Sequence, residues 1–456
     1  MRTLPNYFLA DLPPEATISP ALLGEACLTL KRNREQYLAS RTTDQIVKVL
    51  SHVAEGWLQP DSPFRELALA DGPRCTGFGR ATLERGLDHF FAKLTRETLR
   101  AWLTQELGDS RRLDEFTVAS GEEKFSRAAL ATGPEFLAHF CAGNLPNPTC
   151  MSMVLGLLTR SAQFVKCASG TSFLPRLFAH SIYDADHKLG ACLEVAEWRG
   201  GYAALEEILL AEADCVTATG SDETLAAIRA KLPGQKRFLG YGHRVSFGYA
   251  TGESLSGFGA KRIVKAAAID VVAWDQLGCL SPHVIYVQRG GEMGPEHFAQ
   301  LLAEELDHRE QTEPRGAVPQ DVAAAIASRR GIYEVRAAHS PDSLLWRSKD
   351  STAWTVVFEA DPRFAMSCLH RFIYVKAVRD LAEALHGADA VRDKVSTVGL
   401  AADEEQAKAI ATALARWGAT RVCPLGQMQN PPLTWRHDGR PALGDLVTWT
   451  DFVGSQ

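Results

Sequence analysis

From about residue 135 onward the chain repeats one local pattern: a short apolar run, a turn, then an amphipathic stretch at helical spacing. The runs at 136–142, 163–167 and 214–219 are strand-like, and 148–161, 173–182 and 222–231 alternate with them as helices. A second block continues the alternation. Residues 261–276 are helical, with Ile263, Val264, Ala267 and Val271 on one face. The runs 283–287, 354–358, 372–375 and 395–400 are strand-like, while 295–308 and 404–417 are helical, the latter stopped by Gly418. Residues 446–453 alternate as an edge strand or one arm of a hairpin. Strands alternating with helices predict an α/β fold built on parallel sheets, in two blocks. Residues 1 to about 130 read instead as mostly helical, broken at places such as Gln59-Pro60-Asp61-Ser62-Pro63.

The chain has 456 residues, enough for two or three packed lobes. Its 49 basic and 55 acidic residues leave a net charge of -6, which gives no electrostatic reason to expect nucleic acid. The first ten residues lack the pattern of a secretory signal, and no apolar stretch is long enough for a membrane span. The ten cysteines form no Cys-x-x-Cys pair and no Cys/His group at zinc spacing. Reduced thiols, a cytoplasmic location and no metal are therefore expected.

Four places in the pattern carry side chains suited to chemistry. Cys279 sits in Asp275-Gln276-Leu277-Gly278-Cys279-Leu280-Ser281-Pro282, between a predicted helix and a predicted strand. A tight Gly-Cys turn presents a thiol to a cleft, where its thiolate is the reactive form. An arbitrary cysteine is more often a small core residue. Asn144, in Ala142-Gly143-Asn144-Leu145-Pro146, follows a predicted strand. Its amide suits an oxyanion hole and equally an ordinary turn. Lys166 ends the next predicted strand, where a lysine reaches a nucleotide over the sheet edge or snorkels to solvent. Gly220-Ser221 opens a helix after a strand, which fits phosphate binding or a plain helix cap. Gly77-Phe78-Gly79 reads as a loop, and Gly240-Tyr241-Gly242 is not a dinucleotide fingerprint. The chain has no Gly-x-Ser-x-Gly elbow.

Along the chain come Asn-x-Pro after a strand, Lys ending the next strand, Thr-Gly-Ser, a Gly-rich strand pair and then Gly-Cys. That order resembles the aldehyde dehydrogenase superfamily. The local wording is similar to one branch, the long-chain acyl-CoA reductase family, known for the reductase components of bacterial bioluminescence fatty-acid reductase complexes. The carrying segments are Ala142 to Pro146, Gly242-His243-Arg244-Val245-Ser246-Phe247, Trp274 to Pro282, Cys423-Pro424-Leu425-Gly426 and Trp435 to Gly439. The resemblance covers roughly residues 135–455.

What the resemblance implies is specific. Residues 1–240 would hold a helical N-terminal region and a Rossmann-type nucleotide-binding domain. Residues 241–418 would form an α/β catalytic domain carrying the thiol, and 419–456 would return to the cofactor and oligomerisation region. Cys279 would be the nucleophile, with Asn144 and the Cys279 backbone amide as oxyanion donors. Lys166 would contact the adenosine ribose or its phosphate. Thr219, Gly220 and Ser221 would lie beside the cofactor pyrophosphate, and Glu359 at the nicotinamide ribose. The implied partners are a fatty acyl-CoA or acyl-protein donor, an acyl-protein synthetase and further copies of the chain.

Two departures from the superfamily pattern refine the expected chemistry. Hydrolytic aldehyde dehydrogenases carry a Glu base before the nucleophile, yet residues 236–251 contain no Asp or Glu. Without that base water is poorly activated, and an acyl-enzyme survives to be reduced. Ser169 stands where many NAD-using relatives have a Glu for the ribose hydroxyls. Its lack of charge relieves repulsion against a 2′-phosphate, which makes NADPH the expected cofactor and NADH the alternative. The expectation is NADPH-dependent reduction of a fatty acyl thioester to the aldehyde. Two other readings use the same residues: a CoA-acylating dehydrogenase of short-chain aldehydes, and a non-catalytic acyl-binding subunit on the same fold.

Overall fold

Runs of Val, Leu, Phe and Ala too short for a helix and buried on both faces form the sheets of this protein. The computed structural model describes residues 4–13, 15–122 and 127–453. Two units emerge: residues 1–76, 87–242 and 432–456 make the first, and 77–86 with 243–431 the second.

In the first unit β1 (Arg127–Thr132) is followed by β2 (Phe136–Phe140), β3 (Ala162–Cys167), β4 (Leu193–Glu197), β5 (Cys215–Thr219) and β6 (Arg237–Tyr241). Strands β2 to β6 form a wholly parallel sheet in the order β4-β3-β2-β5-β6. The winding reverses between β2 and β5, which makes the crevice at their carboxyl ends the switch point of a doubly wound sheet. Every residue of β2 and β3 is buried. On one face Phe136, Phe164 and Val216 pack with Leu23 and Cys27 from the helix Pro20–Tyr37 and with Leu205 and Leu209 from the helix Ala203–Glu212.

In the second unit the chain forms β7 (Val245–Ala250), β8 (Pro282–Gln288), β9 (Ser343–Arg347), β10 (Thr355–Glu359), β11 (Phe372–Val378), β12 (Val395–Ala401) and β13 (Arg421–Pro424). They make one sheet in the order β13-β12-β7-β8-β11-β10-β9, parallel throughout except for β9, which lies antiparallel on β10 at the edge. Successive residues of β8 divide between two cores, as the period of a strand requires. Ile285 and Val287 join the cluster under the helices Ala260–Val272 and Pro295–Thr312, while Val284 and Tyr286 join Phe247, Tyr374 and Trp417 on the other face. The last strand, β14 (Thr448–Val453), belongs to the first unit and pairs antiparallel with β1.

The expected helices of the N-terminal region are present as Pro20–Tyr37, Thr43–Leu58, Pro63–Thr76, Arg80–Phe91 and Arg96–Leu107. Two expectations change. Residues 127–130, read as the end of the helical region, belong to β1, because β14 supplies a pairing partner from more than 300 residues away. The helix expected over 261–276 stops at Val272. Ala273 leaves helical geometry, and Trp274, Asp275 and Gln276 turn left-handed, with φ of 52°, 49° and 65°. Among the described residues no helix is long and apolar enough to cross a membrane.

Candidate active site

The carboxyl ends of β2, β3 and β5 gather the first unit's candidates around the switch point. Asn144 is exposed in the turn between β2 and the helix Asn147–Leu158. That turn presses on the loop after β3: a Cβ on Gly143 would stand 2.7 Å from Cγ2 of Thr171 and 3.3 Å from Cβ of Ala168. Only a residue without a side chain permits this approach. Lys166 is almost wholly buried in β3, its ammonium 5.7 Å from the centre of the Trp198 ring. Burial lowers its pKa, and the nearby Glu206 works against that shift. Ser169 is exposed in the following loop. The loop is fastened by Glu197, the last residue of β4, which accepts from the amides of Gly170 at 2.5 Å and Ser172 at 3.0 Å. Glu197 is absent from the sequence candidates. An acid closing a strand beside a turn-rich loop is the signal that marks it.

Thr219 ends β5 and Gly220 follows it, its amide donating to the Tyr241 carbonyl at 3.2 Å. Ser221 caps the helix Asp222–Lys231, accepting from the Thr224 amide at 3.3 Å. The first turn of that helix carries Asp222 and Glu223, which complement its dipole. Beneath the crevice His139 bridges three strands: Nδ1 lies 2.6 Å from Oγ1 of Thr217 and Nε2 lies 3.0 Å from Oε1 of Gln163. Burial pushes the pKa of His139 down to about 4, so the ring is neutral near neutral pH.

In the second unit Cys279 is half-buried in the turn that enters β8, at the amino end of the sheet. Several bonds from outside the turn fix it. Ser246 Oγ on β7 donates to the Cys279 carbonyl at 2.8 Å and accepts from the Thr397 amide at 3.1 Å. Gln276 closes the loop at its base, Nε2 donating to the carbonyls of Pro282 at 2.7 Å and Phe372 at 2.9 Å. The Ser281 amide donates to the Gly278 carbonyl at 2.9 Å, and Gln429 Nε2 donates to Ser281 Oγ. Gly278 packs against the same amide, since a Cβ there would meet Nε2 of Gln429 at 2.6 Å. Further along β8, His283 Nδ1 accepts from the Ser367 amide at 3.2 Å and lies 3.0 Å from its hydroxyl. Burial pushes the His283 pKa down to about 4. Ser246, Gln276 and Gln429 are positioning groups that the sequence pattern does not single out. A serine interrupting the apolar strand Val-Ser-Phe is the one visible mark of Ser246.

Glu359 closes β10, with 9% of its surface exposed. One carboxylate oxygen accepts from Lys376 Nζ at 2.8 Å and the other from Arg336 Nη1 at 2.8 Å. The register places it level with Lys376 on β11 and with Tyr286 on β8. Tyr286 lies four residues beyond Pro282, the first residue of β8. Four residues of strand span about 13 Å, so Glu359 is carried away from Cys279, toward the opposite end of the same sheet. The structure brings Asn144, Lys166, Ser169 and Thr219 to Ser221 to one sheet edge and leaves Glu359 apart from Cys279.

The comparisons with known proteins agree with this architecture. A family model described as acyl-CoA reductase (LuxC) matches residues 38–449. The long-chain acyl-protein thioester reductase of Aliivibrio fischeri is 26% identical over 321 residues, 68% of this chain and 62% of that protein, so the chain matches less than two thirds of that relative's length. Among solved structures, the putative aldehyde dehydrogenase PutA of Anabaena variabilis has a TM-score of 0.69 at 15% identity, covering 97% of this chain and 95% of that one. The Δ-pyrroline-5-carboxylate dehydrogenase of Mycobacterium tuberculosis, bound with NAD, has a TM-score of 0.65 at 13% identity, covering 95% and 82%. These structural likenesses make the fold aldehyde dehydrogenase-like.

Proposed function

The chain belongs to the acyl-CoA reductase (LuxC) family, and from that premise we propose that it captures a fatty acyl group on Cys279 and reduces it to the aldehyde with NADPH. The observation that carries this is the setting of Cys279. Burial raises the pKa of the thiol of Cys27, Cys141, Cys150, Cys167, Cys192, Cys215, Cys368 and Cys423, which keeps them protonated and inert. Cys75, Cys141 and Cys368 are half-buried as Cys279 is; what sets Cys279 apart is its place in a turn whose backbone is held by Ser246 and Gln276.

The Cys279 thiolate attacks the carbonyl carbon of an acyl thioester. The carbon–sulfur bond to the carrier breaks, and the carrier leaves as a thiolate that takes up a proton. Asn144 and the Cys279 amide donate to the oxyanion. A bound NADPH would supply the hydride to the acyl carbon, leaving a thiohemiacetal oxyanion on Cys279. The resulting thiohemiacetal collapses to aldehyde and regenerates the Cys279 thiolate. Ser246 keeps the carbonyl of Cys279 turned into β7, so the turn keeps its shape through both steps. The lack of an acid in 236–251 leaves water without a general base, which protects the acyl-enzyme from hydrolysis.

The switch point of the first unit suits a dinucleotide: Lys166 at the ribose or its phosphate, Ser169 at the adenosine ribose, and Thr219, Gly220 and Ser221 at the pyrophosphate. The relative's name supports an acyl-protein as donor; delivery of the acyl group by an acyl-protein synthetase and assembly with further copies of the chain rest on the family resemblance alone. Intact mass measured after mixing with a fatty acyl-CoA tests the core of this reading. The wild-type chain gains one acyl mass and loses it as aldehyde when NADPH is added. Cys279→Ala gains none; acyl labelling retained in that variant overturns the assignment. Asn144→Ala lowers the rate on the order of a hundredfold or more.

A further inference from the structure

We infer that the first unit holds a second anion site, for a phosphorylated small molecule of nucleotide size, in a cavity at the amino ends of β3 and β4. The cavity has a volume of about 610 Å³, within the range of about 300–1,000 Å³ usual for small-molecule sites. Of the ten residues that line it, Arg41, Lys48 and Lys188 are cations, His52 is titratable and none is a carboxylate. The chain as a whole carries a net charge of -6. With Arg41 answered by Asp186, Lys48 and Lys188 leave the lining net positive, which runs against the chain's average and favours an incoming anion.

Its place separates it from the proposed cofactor site. Asn33 Nδ2 donates to the Ala191 carbonyl at 2.7 Å, and Arg160 Nε donates to the Arg41 carbonyl at 2.6 Å. These bonds tie the helix Pro20–Tyr37 and the start of Thr43–Leu58 to the chain just before β3 and β4 begin. Lys166 and Glu197 stand at the carboxyl ends of those strands, about 13–17 Å along the sheet.

The cations divide into wall and contact. Arg41 is held by both oxygens of Asp186, at 2.5 and 2.9 Å, and donates to the Tyr37 carbonyl at 2.9 Å, so its charge is answered within the fold. Lys48 and Lys188 are exposed, and neither has an ion-pair partner among the described residues. Lys188 Nζ lies 5.8 Å from the centre of the Tyr37 ring. The two lysines lining the cavity offer cations to a phosphoryl group, while Tyr37 and Val49 offer apolar surface to the remainder of the molecule.

Hydrogen exchange of the full chain, read by mass spectrometry with ADP as probe, tests this. ADP slows exchange in peptides covering 36–52 and 183–190, and the effect disappears in Lys48→Glu/Lys188→Glu. It persists in Cys279→Ala and Lys166→Ala, so failure of the reductase assignment leaves this test intact. ADP affinity measured by calorimetry falls about tenfold to a hundredfold with each lysine lost. Unchanged exchange in those peptides at millimolar ADP, the same slowing in the double variant, or equal slowing by adenosine would each overturn the inference.

Discussion

Arg371 Nε lies 3.0 Å from Asp275 Oδ1, with only 1% and 3% of the two side chains exposed. The pair joins two runs of left-handed backbone. Trp274, Asp275 and Gln276 have φ of 52°, 49° and 65°, and Leu369, His370 and Arg371 have φ of 58°, 52° and 66°. Non-glycine residues in this region cost about 1–3 kcal/mol each and persist only where their surroundings hold them. Here Asp275 also accepts from the Gly316 amide at 3.0 Å, and Arg371 Nη1 donates to Glu310 at 2.8 Å. The Cys279 turn starts from this fixed point. Asp275→Asn is expected to cost about 3 kcal/mol in urea unfolding, as a buried cation loses the more deeply buried of its two charged partners. It should also slow acyl labelling of Cys279 in protein that remains folded. Labelling at the wild-type rate would separate the ion pair from the chemistry.

The ends of that loop show where a sequence stops being readable. The helices expected at 222–231 and 404–417 are those observed, Asp222–Lys231 and Glu404–Trp417, because Ser221, Asp403 and Gly418 are local start and stop signals. The residues 273–276 carry no such signal, and the helix ends there through bonds to Pro282, Gly316 and Arg371. Strand β4 was equally hidden, its apolar residues mixed with Glu194 and Glu197. Glu194 is half-buried in the strand and accepts from the Leu9 amide at 2.7 Å, and desolvation pushes its pKa up to about 8. In the candidate site, Cys279, Asn144 and Lys166 stood out because each sits in or beside a turn with a motif around it. Ser246 and Gln429 did not, since their partners lie 33 and 148 residues away.

Glu359→Gln tests what that carboxylate is for. Lys376 is 1% exposed and lies 2.8 Å from it. Neutralising Glu359 strands a buried ammonium, so stability should fall by about 3 kcal/mol. The KM for NADPH should stay at its wild-type value. The reverse pattern, a raised KM with unchanged stability, would put Glu359 at the cofactor.

Acid should loosen both units through two buried histidines. His139 and His283 are pushed down to about 4 by burial, against about 6.5 in the unfolded chain. The unfolded state then binds more protons between pH 6.5 and 4. The contribution of each neutral ring is complete above about 6.5 and is lost as pH falls through that window. Each is worth roughly 2–3 kcal/mol by pH 4. His139→Asn should therefore give a shallower fall of Tm with pH over this range than the wild-type chain. An identical slope would show that the ring is protonated in the fold.

Cofactor choice turns on the loop after β3. Ser169 is exposed there and brings no charge, while the nearby carboxylates are engaged: Glu197 by the amides of Gly170 and Ser172 at 2.5 and 3.0 Å, and Glu206 by the Gly201 amide at 2.7 Å and Lys231 Nζ at 3.0 Å. Lys166 is the cation at the end of the same strand. On the proposed reading, a 2′-phosphate on the adenosine ribose would meet an ammonium and no unsatisfied acid. Ser169→Glu places a full negative charge in the loop. At separations near 5 Å that repulsion corresponds to about a tenfold to hundredfold loss in kcat/KM for NADPH. NADH lacks the 2′-phosphate and should keep or gain activity in the same variant. Lys166→Met should weaken NADPH more than NADH, for the complementary reason. Initial rates with both cofactors, on the wild-type chain and the two variants, decide the matter; a clear NADH preference in the wild-type chain would refute NADPH as its reductant.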